Sequence, residues 1–253
     1  MELTNSTIFD SHFHIIDSRF PLIENNGYLP DTFTCYDYLE RVKGYNLIGG
    51  AIVSGSFQGF DQNYLLDALK KLGPSFCGVT QIPADTSDED IFRLDNAGVR
   101  AVRFNLKRGG SEGLQHLDRL ARRVHELVGW HTELYVDSSE LEGLYKTIIA
   151  LPSVSIDHLG LSAAGFKTLL RLVESGVHVK ATGFGRVDFD IPTTLRELFA
   201  TNPDALMFGT DLPSTRAPRP YRDEDLALVI DTLGEAGAKK VLYENAVTFY
   251  AKQ

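Results

Sequence analysis

Short apolar runs recur along the chain, separated by stretches in which apolar residues repeat at helical spacing. The runs cover Ile8–His14, Ile48–Ser54, Phe76–Ile82, Val99–Asn105, His131–Val136, Val154–His158, Val177–Thr182 and Ala205–Asp211. Their length, and the turn residues that flank them, predict eight strands. Between them, Asp61–Leu72 places Tyr64, Leu65, Ala68, Leu69 and Leu72 on one face. Glu112–Val128 does the same with Leu117, Leu120, Ala121, Val124 and Leu127. Further helices are expected at Ser162–Glu174, Pro192–Ala200, Asp223–Glu235 and Glu244–Ala251. Strands alternating with helices imply parallel strands joined by right-handed crossovers. Eight such units in 253 residues predict an α/β fold of the (β/α)8 TIM-barrel type, as one domain over residues 1–253. The competing arrangement, an open doubly wound sheet, usually carries GxGxxG after its first strand. Here that strand ends in Asp10-Ser-His-Phe-His14.

Composition narrows the possible partners. Apolar residues make up 43% and charged residues 23%, a globular mixture, and no apolar run is long enough to span a bilayer. The net charge of −9 gives no overall attraction to nucleic acid or anionic membrane. An anionic ligand must therefore be held by a local group of arginines and lysines. Cys35 and Cys77 lack metal-site spacing and read as reduced thiols. Met1–Asp10 shows no basic stretch followed by an apolar core, so a cytoplasmic location is expected.

In a parallel barrel, function collects at the C-terminal strand ends. The first strand ends with His12 and His14 on one face, about 7 Å apart along the backbone. The second runs into Ser54-Gly-Ser56, and the fourth alternates Arg103 and Asn105 with Val102 and Phe104. The fifth offers Glu133 and Tyr135, and the sixth ends at His158. The seventh leads to Thr182-Gly183 with Arg186 beyond, and the eighth ends at Asp211. Taken singly, each has an ordinary structural explanation: a partly buried imidazole, a turn aspartate, a surface arginine. A barrel makes them converge, which predicts an active site. His116, His125, His131 and His178 lie away from the mouth and read as structural. Lys180, within the seventh strand, requires a buried partner.

Phe9-Asp-Ser-His12-Phe-His14, Ile156-Asp-His158-Leu-Gly160 and Phe208-Gly-Thr-Asp211-Leu-Pro-Ser214 resemble motifs of the amidohydrolase superfamily, in the branch that includes the pyrone dicarboxylate lactonases. Tyr28-Leu-Pro30, Ser54–Asp61, Val102–Leu106 and Trp130–Leu134 fall in the order of that family, so the resemblance spans nearly the whole chain. It implies a hydrolase that opens a lactone of a carboxylated small molecule. His12, His14 and His158 would surround and polarise the scissile carbonyl, and Asp211 would take the proton from the attacking water. Tyr28, Ser56, Arg103, Tyr135 and Arg186 would hold carboxylate and carbonyl groups. The chain departs from the lactonase pattern at Leu161-Ser162, where the family has Arg-Pro, so one carboxylate contact is missing. Lys107 and Arg108 supply basic residues after the fourth strand.

Metal-binding members of the superfamily place a histidine at the end of the fifth strand, where this chain has Tyr135. Glu133 lies deeper, and Arg103 and Asn105 occupy the fourth-strand face. A binuclear centre is therefore not expected. His12, His14 and Asp211 could hold a single divalent ion such as zinc. Because the charge of Arg103 would oppose such an ion, the expectation is that no cofactor is required. Two other readings are a metal-dependent decarboxylase or hydratase of the same superfamily and a non-catalytic binding protein on the same barrel.

Overall fold

The computed structural model describes residues 6–252. Eight parallel strands are hydrogen-bonded to their neighbours in chain order: β1 (Thr7–Phe13), β2 (Asn46–Val53), β3 (Phe76–Thr80), β4 (Val99–Asn105), β5 (His131–Tyr135), β6 (Val154–Ile156), β7 (His178–Ala181) and β8 (Leu206–Phe208). Helices alternate with them on the outside: α1 (Cys35–Val42), α2 (Asn63–Leu72), α3 (Asp88–Asn96), α4 (Leu117–Val128), α5 (Leu141–Ala150), α6 (Phe166–Glu174), α7 (Ile191–Thr201), α8 (Asp223–Lys239) and α9 (Asn245–Tyr250). This is the (β/α)8 TIM barrel that the strand spacing predicts. Among the described residues, no helix is long and apolar enough to cross a membrane.

The sheet closes between β8 and β1. Asp211 N–H donates to the His12 carbonyl and His14 N–H to the Leu212 carbonyl, both at 2.7 Å. The buried Asp10 carboxylate accepts from the Thr210 amide (2.9 Å) and hydroxyl (2.7 Å). The two chains pass so closely that a Cβ at Gly209 would meet the Cβ of His12 at 2.7 Å, so only glycine fits there. The closure therefore also sets Asp211 beside the two strand-one histidines.

Strand alternation divides the core. Val102 and Phe104 point outward and pack in the layer between sheet and helices, with Leu117, Leu120 and Val124 of α4. Phe9, Ala51, Val53, Cys77, Val79, Ala101 and Met207 point inward and fill the barrel from below, with Ala246 and Tyr250 of α9 packed against them. Above this apolar layer, the barrel interior is charged.

Three helices, α1, α3 and α5, lie where no helix was expected. Strands β6 and β8 stop short of His158 and Asp211, which stand in tight turns with left-handed backbones (φ 51° and 61°). Left-handed conformations cost a non-glycine residue roughly 1–2 kcal/mol, and such strain concentrates at functional sites. Both turns lie at the C-terminal mouth of the barrel.

Candidate active site

The mouth encloses a narrow cleft. A larger hollow at the opposite end of the barrel has no histidine, aspartate or glutamate in its wall. His14, Ser56, Arg103, Tyr135, His158 and Arg186 line the cleft, and His12 and Asp211 are buried behind them, against His14, His158 and Arg186. Tyr28 stands outside this lining, at the rim, with the Arg216 guanidinium 4.3 Å above its ring. The His12 ring is 5.1 Å from that of His14 and 4.8 Å from that of His158.

Asp211 is the centre of this group. Its Oδ2 accepts from Arg186 Nε at 2.7 Å. Its Oδ1 is buried and has no hydrogen-bond partner, with His12 Nε2 at 4.0 Å and His14 Nε2 at 3.8 Å. Burial alone would raise the pKa of this carboxyl. The Arg186 guanidinium, helped by the neighbouring imidazoles, outweighs burial and holds it well below the usual carboxylate range. Asp211 is therefore ionised at neutral pH, with one oxygen free.

Arg186 is the main cation beside Asp211, because two of the nearby imidazoles hold a proton weakly. Burial lowers the pKa of His12 to about 4, although Asp157 works in the opposite direction. Burial likewise pushes His158 well below an ordinary imidazole. His14 Nδ1 lies 2.7 Å from the Val53 carbonyl, which can only accept, so Nδ1 carries the proton. In a neutral His14 ring, Nε2 is then an acceptor aimed toward Asp211.

Beneath the cleft lies a buried charge network. Arg103 forms a forked pair with Asp157 (Nη2 2.7 Å and Nε 3.2 Å to Oδ2) and donates from Nη1 to the Ser54 carbonyl at 2.8 Å. The cation expected to repel a metal is thus already neutralised. Lys180 finds its partners in Glu133, at 2.5 Å, and Asp157, at 3.9 Å. Glu133 also receives the Tyr250 hydroxyl at 2.5 Å and faces His131 at 3.1 Å. Asp157 and Lys180 both approach His12 Nδ1 at 3.5 Å. Sequence reasoning gave Asp157 no role. Its signal was an acid next to a strand-end histidine, on a strand between those carrying Arg103 and Lys180.

The low proton affinity of His12 has a measurable consequence. The unfolded ring titrates near 6.5 and the folded ring near 4, so on acidification the unfolded chain takes up the proton first. This contribution to stability is complete above pH 6.5 and is lost as the pH falls toward 4. NMR titration of the His12 ring should give a midpoint near pH 4, with the melting temperature falling over the same window. A midpoint near 6.5 would contradict the buried neutral imidazole.

The donor atoms of His12, His158 and Asp211 lie within 4.8 Å of one another. His12 Nε2, His158 Nδ1 and Asp211 Oδ1 are each buried without a partner. This donor set fits one divalent ion, with His158 in the cluster where His14 was expected beside His12 and Asp211. A second cluster of His12, Glu133 and Asp157 fits less well, because Lys180 and Arg103 already occupy its carboxylates.

The chain is similar to a 2-pyrone-4,6-dicarboxylate hydrolase of Comamonas testosteroni, at 25% identity over 95% of this chain and 89% of the relative. It is also similar to a D-galactarolactone isomerase of Agrobacterium fabrum, at 26% identity over 93% and 88%. Its fold matches the crystal structure of a probable 2-pyrone-4,6-dicarboxylic acid hydrolase from Acinetobacter baumannii with citric acid bound. That match has a TM-score of 0.83 and 21% identity, covering 96% of this chain and 98% of the other. The amidohydrolase family profile matches residues 9–252, and the chain belongs to that family.

Proposed function

We propose that this protein is a hydrolase that opens the ring of a carboxylated lactone with an Asp211-activated water. The observation that carries the reading is Asp211 Oδ1: buried, ionised, unpartnered, and within 3.8–4.0 Å of two imidazole nitrogens, one of them on His14 of the cleft wall. A water donating one hydrogen to Oδ1 and the other to His14 Nε2 would be held with its lone pair free for attack. Asp211 takes the proton as the bond to the carbonyl carbon forms. His158 and Arg186 line the cleft and can donate to the oxyanion that develops. His12 supports the water from below. Ser56, Tyr135, Arg103 and Arg186 form the wall against which the lactone's substituents rest, and Tyr28 closes the rim. The names of the two sequence relatives, one a pyrone dicarboxylate hydrolase and one a lactone isomerase, support a lactone as substrate. Two free, buried thiols support action in the cytoplasm.

The test is an assay of purified protein on 2-pyrone-4,6-dicarboxylate and a panel of sugar-acid lactones. Ring opening of at least one supports the reading, and inertness toward all of them contradicts it.

The unpartnered donors favour a second reading, in which His12, His158 and Asp211 hold a divalent ion. Such an ion would supply Lewis-acid polarisation of the substrate oxygen. Arg186 already neutralises Asp211 and Tyr135 stands where a further ligand would be needed, so we propose that hydrolysis requires no metal. Activity should survive exhaustive dialysis against a chelator. Loss with the chelator and recovery on adding zinc would establish the metal-dependent reading instead.

A further inference from the structure

A water held between Asp211 and His14 has two hydrogens and two lone pairs to place. Asp211 Oδ1 and His14 Nε2, 3.8 Å apart, are both acceptors and take the two hydrogens. One lone pair attacks the carbonyl, which leaves the other for a donor. His12 Nε2 lies 4.0 Å from Asp211 Oδ1, buried and without a partner. It can be that donor only if the neutral ring carries its proton on Nε2 and leaves Nδ1 bare. Burial keeps His12 neutral at pH 7, so the ring has one proton to place.

The groups at Nδ1 bias that choice. Lys180 Nζ lies 3.5 Å from Nδ1, within hydrogen-bonding geometry. An ammonium has no lone pair, so it can bond only to a bare ring nitrogen. Asp157 Oδ1 is also 3.5 Å from Nδ1, yet it has no hydrogen-bond partner. The other oxygen of Asp157 takes the Arg103 fork, which offsets its charge. Opposite charges at equal distance from Nδ1 largely cancel. At the far side of the ring, the ionised Asp211 oxygen faces Nε2 and favours a proton there. Lys180 is itself fixed: it is fully buried on β7, bonded to Glu133 at 2.5 Å, with the Tyr250 ring 5.6 Å from Nζ.

We propose that Lys180 is a positioning residue: by donating to His12 Nδ1 it keeps the His12 proton on Nε2, where it donates to the attacking water over Asp211. The proposal rests on the reading of Asp211 as base and supplies the third hydrogen bond to its water. A protonated Nε2 has no lone pair to ligate an ion, so the same tautomer opposes the metal-dependent reading.

The test reads the tautomer directly. In protein with 15N-labelled histidine, two-bond 15N–1H spectra at neutral pH distinguish a protonated ring nitrogen from a bare one. His12→Gln identifies the His12 signals by their loss. The wild-type ring should carry its proton on Nε2. Lys180→Met combined with Glu133→Gln removes the donor and keeps the buried charges balanced, so this variant should fold. Asp157 then acts on Nδ1 without the lysine, and the proton should move to Nδ1. On the lactone opened fastest, kcat of the double variant should fall roughly ten- to hundredfold, because the water loses its alignment. KM should stay within twofold, since neither replaced residue lines the cleft. A wild-type ring with its proton on Nδ1 would overturn the proposal without any variant. A folded double variant that keeps the proton on Nε2, or that moves it with kcat unchanged, would also overturn it. If the proton moves as expected in a protein that opens no lactone, control of the His12 ring by Lys180 stands and the lactonase reading alone is removed.

Discussion

Replacing Asp211 with asparagine is expected to lower turnover by about 10²–10⁴-fold per folded molecule, the usual range for a positioned general base. Asparagine keeps the shape and can still accept a bond from Arg186, but it cannot take a proton from water. The substitution has a second effect. Arg186 is buried and loses its counter-charge, so the melting temperature should fall as well. The two effects separate when the rate is normalised to the folded fraction. If Asp211 serves only the turn after β8, activity will track the folded fraction. If it is the base, activity will fall far below it. A folded asparagine variant with wild-type turnover would exclude the base assignment.

The second large effect is one of stability. Lys180 is fully buried, 2.5 Å from Glu133 and 3.9 Å from Asp157. Lys180→Met leaves Glu133 with an uncompensated charge in the barrel interior. Removing one partner of a buried pair typically costs about 3–5 kcal/mol. Adding Glu133→Gln should recover much of that loss, because the orphaned charge goes with it. Urea unfolding of the wild type, the single variant and the double variant measures both steps. A single variant that loses less than about 1 kcal/mol would mean that the pair carries little of the stability.

The strands were legible because each is a short apolar run, and the strand-end chemistry followed from the barrel they imply. Helices α1, α3 and α5 were not legible, for reasons visible in their residues. In α3 most positions are acidic or polar, only Ile91 and Leu94 of the apolar residues are buried, and Phe92 faces solvent. In α1 the exposed Tyr36 and Leu39 blur the stripe made by Cys35, Tyr38 and Val42. In α5 only Leu141 and Ile148 are buried, and Gly143 interrupts the pattern. The site residues could be named, but not their partners. Arg103 reads from sequence as a free cation, and its neutralisation by Asp157 comes from a residue 54 positions away. Lys180 similarly needed Glu133 and Asp157, which only strand order brings within reach. The tautomer of His14 depends on the Val53 carbonyl, a backbone contact with no trace in the sequence.

The central claim is that a water activated by Asp211 attacks the lactone carbonyl. It is tested most directly by running the reaction in 18O-labelled water on the lactone that the protein opens fastest. The account predicts one labelled oxygen per product molecule, placed in the newly formed carboxylate. An unlabelled product, or an isomeric lactone formed without uptake of solvent oxygen, would contradict it.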